Sequence, residues 1–93
     1  MAKLLTVDQE EITIQPKNGK GFSLKELYRH IGCEFVQLVD LNHKEYMVID
    51  EDGKLNGSAY NAAASVLAHQ NKAIHPSDCI VGNAIICDKS QLD

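Results

Sequence analysis

Polar and apolar positions alternate from Glu11 to Gln15, with β-branched Ile12, Thr13 and Ile14 at the centre, and the alternation stops at Pro16 and Asn18-Gly19. A period of two ending at turn residues predicts a first strand. The period then lengthens: Leu24, Leu27, Tyr28 and Ile31 recur at helical spacing. Ser23 with Glu26 three residues on forms a capping box, Phe22 and Leu27 are placed as a hydrophobic staple, and Gly32 supplies a left-handed stop. Glu34 to Leu41 and Glu45 to Ile49 are rich in Phe, Val, Leu, Tyr and Ile and flank Asn42-His43, which predicts two antiparallel strands in a hairpin.

Asp52-Gly53 is a tight-turn dipeptide, and Lys54-Leu55 beyond it either pairs back or leads to the next element. Ser58 is the expected N-cap of a second helix reaching about Gln70, with Ala62, Ala63, Val66 and Leu67 as its buried stripe and Asn71 as its stop. After the break at His75-Pro76-Ser77, the run from Cys79 to Cys87 is apolar at most positions, which predicts a central strand, and Gly82 within it implies a bulge or a close backbone neighbour. The order is βαββαβ, so the expected fold class is α+β: an antiparallel sheet with two helices on one face, ferredoxin-like or a related arrangement. No repeat or linker divides the chain, so residues 1–93 read as one small domain, with loose tails over Met1 to Val7 and Lys89 to Asp93.

Composition narrows the function classes. Ninety-three residues, 44% of them apolar, support one core built mainly from Ile, Leu, Val and Ala, a size at which a second copy of the chain would add stability. Nine basic against thirteen acidic residues leave a formal charge of −4, which disfavours direct binding to duplex DNA. With neither a signal-like leader nor a long uncharged apolar run, the expected compartment is the cytoplasm, without membrane association. Cys33, Cys79 and Cys87 are odd in number and are expected to be reduced.

Candidate chemistry is sparse. With Ser58 as N-cap, Asn61 falls in the first helical turn, where its amide either finishes the backbone, its ordinary role, or meets an anion drawn to the helix start. Lys54 and Ser58 lie close in sequence, and Arg29, the only arginine, lies on the helix face away from Leu24, Leu27 and Ile31, where it pairs with Glu26 or Glu34 by default or contacts an anionic ligand or a partner. These four form the candidate ligand site. Asp50-Glu51-Asp52 lacks the spacing of a calcium loop and reads as a solvated turn. His69, His75 and Cys79 lack a fourth zinc ligand, and His43 reads as a hairpin-tip residue. Cys33, near His30, follows a helix C-terminus that opposes thiolate formation. No catalytic set, metal site or cofactor site is expected.

The ordered segments Phe22 to Leu27, Ile31 to Glu34, Asp50 to Gly57, Asn61 to Ala64 and Cys79 to Ala84 resemble a small domain of unknown function common in phage and conjugative-element proteins. The resemblance covers about residues 12 to 88, and Ser58-Ala59 stands where that family often has a proline. It implies a mobile-element setting inside a bacterial host and no transferable catalytic residues. The expected function is therefore non-catalytic binding that counters host defence by sequestering an anionic, nucleotide-like immune signal, either as a single chain or as an oligomer. The alternatives are a factor that inhibits a host defence or replication protein through the acidic face at Asp50, Glu51 and Asp52, and, last, a nucleotide-processing enzyme.

Overall fold

A computed structural model describes residues 2–92. Five strands, β1 (Ala2–Leu5), β2 (Glu11–Ile14), β3 (Val36–Asp40), β4 (Glu45–Asp50) and β5 (Ala84–Asp88), form one antiparallel sheet in the order β2-β1-β5-β4-β3. Two helices, α1 (Leu24–Ile31) and α2 (Ala62–Gln70), pack on it, and a short 3-10 turn (Lys89–Gln91) follows β5. The α+β class stands. The ferredoxin-like arrangement does not, because an additional strand precedes the expected first one and separates it from β5.

The strand faces show a second departure. Adjacent residues on a strand point to opposite sides of a sheet. Leu4, Val48, Ile85 and Cys87 pack with Phe22, Leu27 and Ile31, whereas Leu5, Met47 and Ile86 pack with Ala64, Ala68 and Ile80. The helices therefore cover opposite faces, giving a three-layer arrangement with two half-cores rather than two helices on one side.

Within the expected loose N-terminal tail, Ala2–Leu5 form an interior strand of the sheet, and Met1 lies outside the described residues. Leu4 and Leu5 are both buried because both faces of β1 are covered, so the segment shows no alternation to read. Thr6 closes the turn to β2: its amide donates to the Glu10 carbonyl (2.9 Å) and its hydroxyl accepts from the Glu10 amide (3.0 Å). The other expected tail is anchored through Leu92, and Asp93 lies outside the described residues. Gln91 accepts from the Phe22 amide, and Leu92 lies beside Phe22 in an isolated parallel bridge.

Helix α1 follows its sequence signals. The Ser23 hydroxyl accepts from the Glu26 amide (3.3 Å) while the Glu26 carboxylate accepts from the Ser23 amide (3.2 Å), and Gly32 ends the helix at φ 81°. The Glu26 carboxylate also accepts from the Lys17 amide (3.0 Å), which, with the Ser23 amide, holds its pKa below the ordinary carboxylate value. Asn42 shapes the β3–β4 turn by accepting from the amides of Lys44 and Glu45, both at 2.9 Å, and leaves His43 exposed at the tip.

Helix α2 begins later than expected. Asn61, not Ser58, is the N-cap, and Ala64, Ser65 and Ala68 are buried while Ala63 and Val66 face outward. The helix carries no charged residue, so hydrophobicity alone gave its face no direction. Small residues turn inward because the Ser65 hydroxyl must reach Ile80, accepting from its amide (2.8 Å) and donating to its carbonyl (3.2 Å). The long apolar run after Pro76 is likewise only partly strand. Residues 79–83 form a strap over α2, and Gly82, at φ 77° with its amide bonded to the Ala59 carbonyl (2.7 Å), redirects the chain into β5.

All three cysteines are free, as expected. Burial, reinforced by Asp88 and Glu45, raises the Cys87 thiol to about 11. Iodoacetamide at about pH 8.5, near the ordinary thiol value, is expected to label Cys33 and Cys79 in the native protein and Cys87 only after unfolding, as counted by intact-mass spectrometry. Three rapid adducts on the folded chain would contradict the closed α1-side core.

Candidate functional site

The turn over residues 51–57 leaves the end of β4 and folds back against the strap. Its position is fixed by Gly53, where an added Cβ would lie 3.1 Å from the Val81 side chain, so only glycine permits this approach without displacement. The Asp50 carboxylate accepts from the Asp52 amide (2.9 Å), and the Gly53 carbonyl accepts from the Ser58 amide (2.9 Å). Turn, strap and the α2-side face of β3–β4 enclose a cleft of about 130 Å³.

Its floor is apolar, from Val39, Ile49 and Ile80, and its rim is charged. Glu51 and Asp78 contribute two carboxylates against the single ammonium of Lys54, while Asp50, which borders the cleft at the end of β4, shares the opposite face of the sheet with Val48. Lys54 pairs with Asp78 across the opening, joining the turn to the strap. The hydrogen bond to Lys54 holds the Asp78 carboxyl below its ordinary pKa, helped by the Cys79 amide, and the same bond raises Lys54. Both side chains are largely exposed, so the pair is a solvent-screened latch and not a main source of stability. Leu55 stands at the rim with 87% of its surface exposed.

The four expected ligand residues do not converge. Asn61 is 0% exposed: its Oδ1 accepts from the Ala64 amide (3.0 Å), and its Nδ2 donates to the carbonyls of Leu5 (3.0 Å) and Gly82 (2.9 Å). Both amide hydrogens are committed to the protein, and the side chain ties α2 to β1 and the strap. Ser58 is half-buried beside Gly82 and is not a cap. Arg29 is exposed on α1, across the sheet from Lys54. Only Lys54 lines the cleft.

His69 and His75 are occupied locally. His69 Nε2 lies 2.8 Å from the Asp78 carbonyl, and His75 Nδ1 lies 2.7 Å from the Ser77 hydroxyl. Burial and the Asp50 carboxylate push the Cys33 thiol above its ordinary value, which opposes nucleophilic use. Among the described residues, no group of three or more His, Cys, Asp or Glu side chains is placed to hold a metal ion, and no helix is long and apolar enough to cross a membrane.

Asp78 is the rim residue that sequence reasoning missed. It meets Lys54 across 24 positions, and only the folding of the strap over the turn creates the pair. Neither a curated protein nor a solved structure matches the chain. A family model described as a domain of unknown function (DUF3846) matches residues 2–92, and the chain belongs to that family.

Proposed function

We propose that this protein is a non-catalytic interaction factor that engages a basic segment of a host protein through the acidic cleft, as an anti-defence or replication-inhibiting protein of a phage or other mobile element working in the bacterial cytoplasm. The setting comes from the sequence resemblance. The observation that carries the reading is the cleft's composition: a small apolar floor rimmed by Glu51 and Asp78 suits the aliphatic stem and cationic head of a lysine or arginine. Asp78 already pairs with such a group from within the chain, Lys54.

An anionic nucleotide is a poorer fit. It would have to displace Asp78 from Lys54 and sit beside Glu51 and the displaced Asp78, with Asn61 sealed beneath the surface. The test is capture from a bacterial lysate with the wild-type chain and with Glu51→Lys. A defined protein retained by the wild type, weakened by added salt and lost with the reversal, is the expected result. Equal capture by both chains, or release of an intact nucleotide from the purified native protein in place of any protein partner, would overturn the reading.

A further inference from the structure

The geometry points to strand addition at β3: an extended partner segment alternating apolar and basic residues pairs with Val36–Asp40, its apolar side chains in a groove on the α1 side and its basic ones over the acidic cleft. This inference rests on the proposed engagement of a basic segment and supplies its mode.

β3 is an edge strand. The Glu51 amide donates to the Phe35 carbonyl (3.1 Å) and the Leu41 amide to the Glu45 carbonyl (3.1 Å), so the odd-numbered residues of β3 turn their backbone groups toward β4. By the alternation of an antiparallel ladder, the N–H and C=O groups of Val36, Leu38 and Asp40 point outward. Edges of this kind are ordinarily blunted by charge or proline. Here Leu38 is 47% exposed at the middle of the edge, with Phe35 55% exposed just before it.

Two grooves flank this one line of unpaired backbone. On the α1 side, Leu24, Leu27, Val36, Leu38 and Leu92 line an apolar groove of about 290 Å³, with Leu24 58% exposed. On the α2 side, Gln37 and Val39 lead into the acidic cleft. An added strand projects alternate side chains to the two faces, so apolar residues would meet Leu24 and Leu38 while the residues between them meet Glu51 and Asp78. Charge selects the occupant. A second copy pairing through the same edge would set two acidic clefts side by side on chains that each carry −4, whereas a basic segment is attracted.

The probes are a synthetic peptide alternating valine and lysine and a control alternating valine and glutamate, read by amide hydrogen exchange in NMR. The lysine peptide is expected to slow exchange at Val36, Leu38 and Asp40, and the glutamate peptide to leave them unchanged. Leu38→Pro removes an outward N–H without touching the β3–β4 ladder and is expected to weaken peptide binding about tenfold, with the amides of Gln37 and Val39 still protected. Leu24→Ser, on the exposed helix surface, tests the groove without altering the strand and is also expected to weaken binding. Unchanged exchange with the lysine peptide, equal protection by both peptides, or concentration-dependent protection of the same amides without peptide, the mark of a second copy, would each overturn strand addition. Lysate capture separates the two levels: a partner retained by Leu38→Pro but lost by Glu51→Lys would leave the acidic cleft standing and remove strand addition.

Discussion

Asn61→Ala is expected to destabilise the domain by about 3–5 kcal/mol, measured by urea denaturation. The alanine would strip the Ala64 amide of its cap and leave the Leu5 and Gly82 carbonyls without donors at a position with 0% exposure. Asn61→Asp sharpens the test. It retains an acceptor for the Ala64 amide but turns a carboxylate toward two carbonyls, so it should be no more stable than the alanine variant. A residue held in reserve for a ligand behaves in the opposite way, since its replacement in the unliganded protein costs little or stabilises it. A loss below about 1 kcal/mol for Asn61→Ala would mean that α2 is anchored to β1 by something other than this side chain.

The second large effect concerns the two half-cores. Ile85→Ala on the α1 side and Met47→Ala on the α2 side are each expected to cost about 2–5 kcal/mol, because both side chains are fully buried on central strands and leave cavities. Val66→Ala is the control: Val66 is half-exposed on the outer face of α2, and its truncation should stay within about 0.5 kcal/mol. A loss at Val66 comparable to that at Met47, again by denaturation, would mean that the larger side chains of α2 turn inward and that its packing face is misassigned.

These two tests also mark where sequence reading works here and where it stops. The first helix and the central hairpin were legible because their signals are local: Ser23 with Glu26, Gly32, and Asn42 each act within a few residues of themselves. The first strand was not, because a short segment covered on both faces has no alternation, and its partner β5 lies at the far end of the chain. The face of α2 was misread for a related reason. Its inward residues are chosen by a hydroxyl reaching Ile80 and by close packing, neither of which hydrophobic periodicity registers.

The site divides the same way. Asn61 stood out in the sequence, but whether its amide turned to a ligand or to the protein depended on carbonyls 56 and 21 positions away. Lys54 was named without its partner, since nothing near Asp78 in sequence signals that it will meet the turn. The acidic residues at 50–52 read as a solvated turn, and the turn is real; the meeting of Glu51 with Asp78 at the rim of an apolar floor is a product of tertiary folding.

The pairing of Ala2–Leu5 with Ala84–Asp88 has a kinetic corollary. The middle of the sheet is joined from the two segments most distant along the chain, and that contact bears a large loop-closure cost before it is rewarded. On the ribosome, the hairpin of residues 36–50 and the helix at 24–31 can form early, but neither layer closes until residues 84–88 have emerged. Nascent chains halted before that point would present uncovered apolar faces and an open flank on β4, the species that chaperones and proteases would meet first.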